Sequence, residues 1–219
     1  MSDQEIEAKF YLSDLPAVQR RLLLLGAQLS QPRLKETNLR LDTPSGDLSA
    51  AGRTLRLRQP APSTCNASRS DWQDDSRAAV LTYKGPQQAN AEVAVRQELE
   101  VVVSDVEAAR RLLEALGYPV MVTYEKWRTA YRLLGVEVSL DELPYGNFVE
   151  IEGPDVARIH TAADRLGLNW EKRIPASYLS LFYSLKRKLG LPMPNLTFAA
   201  FERRGITAAD LGVESADAA

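Results

Sequence analysis

The chain has 219 residues, 45% hydrophobic and 26% charged, which is enough for one compact domain with a real core. Twenty-seven basic residues against 29 acidic ones leave a net charge of -2, which excludes a global attraction to nucleic acid or to an anionic membrane, so any polyanion site must be local. The single cysteine, Cys65, excludes a disulfide scaffold and a cysteine metal cluster and points to a reducing cytoplasm, while neither a secretion signal nor an apolar run long enough to span a membrane is expected.

In chain order, a strand is expected at 4–11, where EIEAK alternates Glu5, Glu7 and Lys9 with Ile6 and Ala8. A helix at about 14–27 precedes strands at 38–42 and 53–59. The piece 59–78, rich in Pro, Ser, Asn and Asp, reads as a long hairpin connection in which Trp72 is exposed enough to touch the organic part of a substrate. Strands at 79–84 and 93–103 lead to a helix at about 105–116, started by a capping box of Ser104 with Glu107 and stopped by Gly117. Strands at 122–132, 135–141 and 147–152 follow, then helices at about 155–167 and 176–188. The last has an apolar stripe of Tyr178, Leu181, Phe182 and Leu185, which serves either as a barrel cap or as a homodimer surface. The domain is expected over 1–191, and 192–219 is an extension that frays in part, with a short helix near Thr207–Leu211. Gly85, Gly146 and Gly153 permit turns, since no phosphate-cradling loop pattern surrounds them.

Alternation recurs on every wall. Arg56 and Arg58 alternate with Leu55 and Leu57, Arg96, Glu98 and Glu100 with Gln97 and Leu99, and Glu150 and Glu152 with Val149 and Ile151. Lys126 and Arg128 flank Trp127, which faces away from them and packs under a helix. Eight strands suffice to close a barrel. With helices over the apolar faces, its interior holds ions of both signs and must be hydrated, paired, or completed by a charged ligand and metal. Inward Arg and Lys suit phosphate oxygens, and grouped carboxylates suit Mg²⁺ or Mn²⁺. Together they indicate a polyphosphate chelated to metal. His160, the only histidine, lies on a helix and is structural or superficial.

The chain resembles the CYTH superfamily, the triphosphate tunnel metalloenzymes, which include thiamine triphosphatases, inorganic triphosphatases and class IV adenylate cyclases. EIEAK looks like the family's ExExK signature, and the likeness continues through LDTPSGDLSAAGRTLRLR at 41–58, LTYKG at 81–85, RQELE at 96–100, EKWR at 125–128 and VSLDELPYGNFVEIEG at 138–153. The resemblance implies an α+β fold: an eight-stranded antiparallel β-barrel, the triphosphate tunnel, with flanking helices. It implies metal ligation by Glu5, Glu7, Glu150 and Glu152, with Glu5, Glu7 and Lys9 at the catalytic centre. Lys9, Arg56, Arg58, Lys84, Arg96, Lys126 and Arg128 would hold phosphates, while Arg53, Glu98, Glu100 and Asp141 support them. Two departures are visible: Asn38 and Leu39 where an aromatic residue usually precedes the D-T-P element, and Ser177 where some thiamine triphosphatases carry a lysine.

The implied reaction is metal-dependent attack of water on the terminal phosphorus of a triphosphate, with Mg²⁺ or Mn²⁺ as cofactor and a small triphosphate as partner. The alternatives are cyclisation of ATP with release of pyrophosphate, and a non-enzymatic polyphosphate-binding module. No nucleic acid polymer and no membrane is expected as a partner.

Overall fold

Period-two alternation of apolar and charged residues decides which face of each strand turns outward, and here it acts on a closed ring. A computed structural model describes residues 4–60, 79–89, 91–202 and 204–217. Cys65, Trp72 and most of the expected 59–78 connection lie outside the described residues. The strands are β1 (Gln4–Leu12), β2 (Gln28–Leu41), β3 (Thr54–Pro60), β4 (Ala79–Lys84), β5 (Ala94–Val103), β6 (Val120–Leu133), β7 (Val136–Leu143) and β8 (Gly146–Glu152). They pair antiparallel in the order β1-β5-β4-β3-β2-β6-β7-β8, with β8 returning to β1. The expected eight-stranded antiparallel barrel is therefore present.

The helices are α1 (Leu15–Leu24), α2 (Asp47–Ala50), α3 (Val106–Ala115), α4 (Val156–Arg165), α5 (Tyr178–Leu189) and α6 (Ala208–Leu211). Outward residues Phe10 and Leu12 of β1, Val138 and Leu140 of β7, and Val149 and Ile151 of β8 are buried against Val18 and Leu22 of α1 and Ile159, Ala162 and Ala163 of α4. A second core joins Tyr124, Tyr145 and Phe148 to Tyr178, Leu181, Phe182 and Leu185 of α5. The α5 stripe is thus spent inside the chain as a barrel cap, and that stripe is not offered to a second copy.

Several expectations are corrected. β2 begins at Gln28 rather than near residue 38, because register shifts at Leu29, Gln31 and Leu34 along β6 break the alternation that would have revealed it. The cap of α3 is Asp105, whose carboxylate accepts from Ala108 N at 2.9 Å, not Ser104; Glu107 instead pairs with Arg110. Trp127 does face away from the tunnel, but it stacks under the Arg33 guanidinium, 4.0 Å from its ring centroid, and not under a helix.

The described residues after Pro192 dock on the barrel. Leu196 exchanges backbone hydrogen bonds with Thr123 and Glu125 of β6 at 3.0 and 2.9 Å, and Ala216 N donates to Tyr11 O at 3.0 Å. Leu196, Phe201, Leu211 and Ala216 are buried, so this segment completes the core of the domain before it. α6 forms where the short helix was expected, with a capping box between Thr207 and Asp210. Among the described residues, no helix is long and apolar enough to cross a membrane.

Candidate active site

Strand register brings the charged faces together around a cavity of about 870 Å³. Its lining includes Glu5, Glu7, Lys9, Arg53, Arg56, Arg58, Lys84, Arg96, Glu98, Glu100, Lys126, Arg128, Glu150 and Glu152. Asp141 stands behind the lining, fully buried, and holds Lys126 and Arg128 in place.

Three charge groups make up the walls. In the first, Glu5 of β1 faces Arg96 of β5 in register; its carboxylate accepts from Arg96 Nε at 2.7 Å and also from Lys84 Nζ. Lys84 lies 3.1 Å from Glu98, its register partner, and Arg96 reaches Glu7 at 3.5 Å. Lys84 is buried, although it ends its strand.

In the second group, Lys9 and Glu150 are opposite in register and 3.2 Å apart. Arg128 bridges Glu150 at 2.5 Å and Asp141, whose Oδ1 accepts from Arg128 Nε at 2.6 Å, while Lys126 donates to Asp141 Oδ2 at 3.0 Å and lies 3.6 Å from Glu36. In the third, Arg56 donates to Thr82 Oγ1 at 3.2 Å, Thr82 donates to Glu100 at 2.7 Å, and Arg58 stands 4.0 Å from Glu100. Arg53 sits at the rim, its carbonyl accepting from Arg40 at 2.6 Å.

These pairings set the proton affinities. Burial raises Glu5, but the fields of Lys84 and Arg96 outweigh it and hold the carboxyl at about 2. Burial likewise opposes ionisation of Glu150, yet Lys9 and Arg128 hold it well below the ordinary carboxylate range. Glu7 goes the other way: burial, then repulsion from Glu150 and Glu5, push it up. Glu152 is pushed to about 7 by burial and by Glu5, Glu98 and Glu7.

That contrast tests the fit of a divalent cation. Glu7 and Glu152 are register partners on adjoining strands, and both are held above the ordinary range by burial and then by neighbouring anions. An excess of oxygen anions in one place is what Mg²⁺ or Mn²⁺ relieves. Among the described residues no acidic side chains are drawn into a ready ligand cluster, since Glu5 and Glu150 are turned onto basic partners.

Sequence reasoning missed Glu36, Arg40, Tyr124, Thr82 and Tyr178. Glu36 and Arg40 share parity with Asn38, but a strand begun at 38 leaves Glu36 out. Asn38 is fully buried, and neither end of its amide finds a hydrogen-bond partner among the described residues. Tyr124 has the same parity as Lys126 and was legible on that ground alone. His160 lies on α4 outside the tunnel, 3.1 Å from Asp164 and tilted against Trp170 with ring centroids 4.4 Å apart. Gly146 has φ +150° in the β7–β8 turn, as a turn glycine should.

A family model for the CYTH domain matches residues 3–172. The adenylate cyclase CyaB of Aeromonas hydrophila is 27% identical over 187 residues, which span 81% of this chain and 87% of that protein. A proposed adenylate cyclase of Vibrio parahaemolyticus has the same fold with a TM-score of 0.69 at 20% identity, covering 84% of this chain and 99% of its own. HpAC1 of Hippeastrum, described as having a dominant triphosphatase activity, superposes with a TM-score of 0.56 at 20% identity over 82% of this chain and 95% of its own.

Proposed function

The chain belongs to the CYTH domain family, and from that membership and its doubly charged tunnel we propose that it is a metal-dependent hydrolase of the terminal phosphate of an inorganic or small organic triphosphate. One observation carries the reading: the basic groups Lys9, Arg56, Arg58, Lys84, Arg96, Lys126 and Arg128 line the same cavity as the acidic register partners Glu7 and Glu152. A binder needs only the first set. Hydrolysis with a metal uses both.

Mg²⁺ or Mn²⁺, held by Glu5, Glu7, Glu150 and Glu152, would neutralise charge on the phosphate chain when bound. Arg56, Arg58 and Arg128 offer forked donors to the phosphate oxygens, and Lys9, Lys84 and Lys126 offer point charges. Water attacks the terminal phosphorus in line, the bond to the bridging oxygen breaks, and a diphosphate-type product leaves. The fixed donors stabilise charge on the transferring group without reorganising, which is the main contribution a protein makes to this chemistry. Asp141, Glu98 and Glu100 keep the basic side chains oriented. A small triphosphate is the only partner this reading requires, and a reducing cytoplasm suits a chain with one cysteine.

A second reading is cyclisation of ATP, favoured by the Aeromonas relative that carries that name. The same clamp would hold ATP while the ribose 3′ oxygen replaces water and pyrophosphate leaves. Incubation with tripolyphosphate, thiamine triphosphate and ATP, each with Mg²⁺ or Mn²⁺, separates the readings when every product is resolved by chromatography. Phosphate release supports the hydrolase, and the fastest substrate names its subtype. Cyclic AMP with pyrophosphate supports the cyclase. Tight binding of tripolyphosphate without turnover leaves a binding module.

A further inference from the structure

α5 begins over the tunnel, and its first residue is buried among charges that an apolar stripe would not be expected to meet. The Tyr178 hydroxyl donates to Asp141 Oδ2 at 2.8 Å. The same oxygen accepts from Lys126 Nζ at 3.0 Å and from Arg128 Nη2 at 2.5 Å. The Tyr178 ring lies beneath Lys9 Nζ, 4.3 Å from the centroid. Its backbone carbonyl accepts from Tyr145 Oη at 2.8 Å, and just before the helix Lys9 Nζ donates to Ala176 O at 3.3 Å. Three cations from two strands therefore meet around one phenol carried by a helix.

We propose that Tyr178 is a positioning residue for the tunnel's basic clamp: its hydroxyl shares the charge of Asp141, and its ring holds Lys9. This inference rests on the triphosphate reading above. Asp141 is fully buried, so its interactions are little screened. With the phenol as a third donor, Oδ2 is satisfied without drawing Lys126 and Arg128 further from the cavity. Without it, both cations close on the carboxylate and are less available to phosphate oxygens. The ring turns its negative face to Lys9 Nζ at 4.3 Å and, with Glu150 at 3.2 Å, fixes where that ammonium stands beside the cavity.

The test compares wild-type protein, Tyr178→Phe, Asp141→Asn and the double variant, measuring KM and kcat for the best triphosphate with Mg²⁺ together with thermal melting. Tyr178→Phe keeps the ring and its packing. Its KM is expected to rise about tenfold, with kcat within about twofold and a melting temperature near wild type. In the Asp141→Asn background the same change is expected to add little, because the hydroxyl acts through Asp141. Should Asp141→Asn fail to fold, calorimetric titration of metal-free wild type and Tyr178→Phe with tripolyphosphate decides, with the same tenfold loss expected. A lowered melting temperature with wild-type KM and affinity would mean a structural role only and overturns the inference. So does a full tenfold effect that persists in Asp141→Asn. A wild-type protein that neither binds nor turns over any triphosphate overturns the functional reading and this inference together, whereas an active wild type with an indifferent Tyr178→Phe overturns this inference alone.

Discussion

Glu7 and Glu152 stand opposite each other in the β1–β8 ladder, two acidic side chains on adjoining strands of one tunnel wall. Burial and the neighbouring anions keep Glu7 above the ordinary carboxylate range, so its charge opposes the metal-free fold. Glu7→Gln is therefore expected to melt at or above the wild-type temperature in EDTA. The same variant should lose the rise in melting temperature on adding Mg²⁺ or Mn²⁺, and metal-dependent turnover should fall about 100-fold or more. Glu5→Gln is a less clean test, because removing a carboxylate that holds Lys84 and Arg96 costs about 3–5 kcal/mol in a buried pair. A Glu7→Gln protein with wild-type turnover would remove Glu7 from the metal site.

Arg56 tests the opposite wall. It donates to Thr82, lies 3.6 Å from Glu100 and 4.0 Å from Glu98, and has Tyr124 beside it, but its buried Nε finds no partner among the described residues. Such a guanidinium has donors left for a ligand. Initial-rate kinetics of Arg56→Ala should show a KM raised by about 10–100-fold and a much smaller change in kcat. An unchanged KM would place the phosphates elsewhere in the cavity.

Glu36 governs acid stability. Burial raises its proton affinity, but Lys126, then Arg128, Arg58 and Arg56, outweigh that and hold it at about 2, below its ordinary 4.5. A depressed carboxyl contributes stability that is complete above the unfolded value and is lost as pH falls through the folded one. Urea unfolding from pH 6 to pH 2 should therefore show Glu36→Gln less stable than wild type at pH 6, by up to about 3 kcal/mol. The gap should close by about pH 2. Parallel curves for the two proteins would show that the surrounding cations do not depend on this charge.

Leu196 tests whether the last residues belong to the barrel domain. It is fully buried between β6 and the α5 core. Leu196→Ala should cost about 2–5 kcal/mol, read by calorimetry or denaturant unfolding. A chain ending at Leu191 would uncover Tyr124, Phe148 and Phe182 and is expected to lose its cooperative melt. A truncated chain that melts like the intact one would make 192–219 a dispensable extension.

The alternation of Glu5, Glu7 and Lys9 with Ile6 and Ala8 was readable directly, because side-chain direction in a strand depends only on parity. For the same reason Arg56 with Arg58, Lys126 with Arg128, and Glu150 with Glu152 could be placed on one face before any fold was known. Parity failed where the backbone departed from regularity. The shifted register along Gln28–Leu34 hid the first half of β2 and with it Glu36. The turn Asp42–Ser49, where the Asp42 carboxylate accepts from Leu48 N at 2.8 Å and Ser49 N at 2.9 Å, hid α2.

Which charge answers which is a different kind of fact. Glu5 meets Lys84 across 79 positions of chain, and Lys9 meets the carbonyl of Ala176 across 167. Tyr178 reads in one dimension as another apolar residue of a helix stripe, yet its hydroxyl ends on Asp141. Facing direction is a local property of the backbone, so residue order alone contains it. Charge compensation depends on distances that exist only once the ring has closed and α5 has folded over it, and those distances separate Glu5 and Glu150, paired with cations, from Glu7 and Glu152, which burial and neighbouring anions push up.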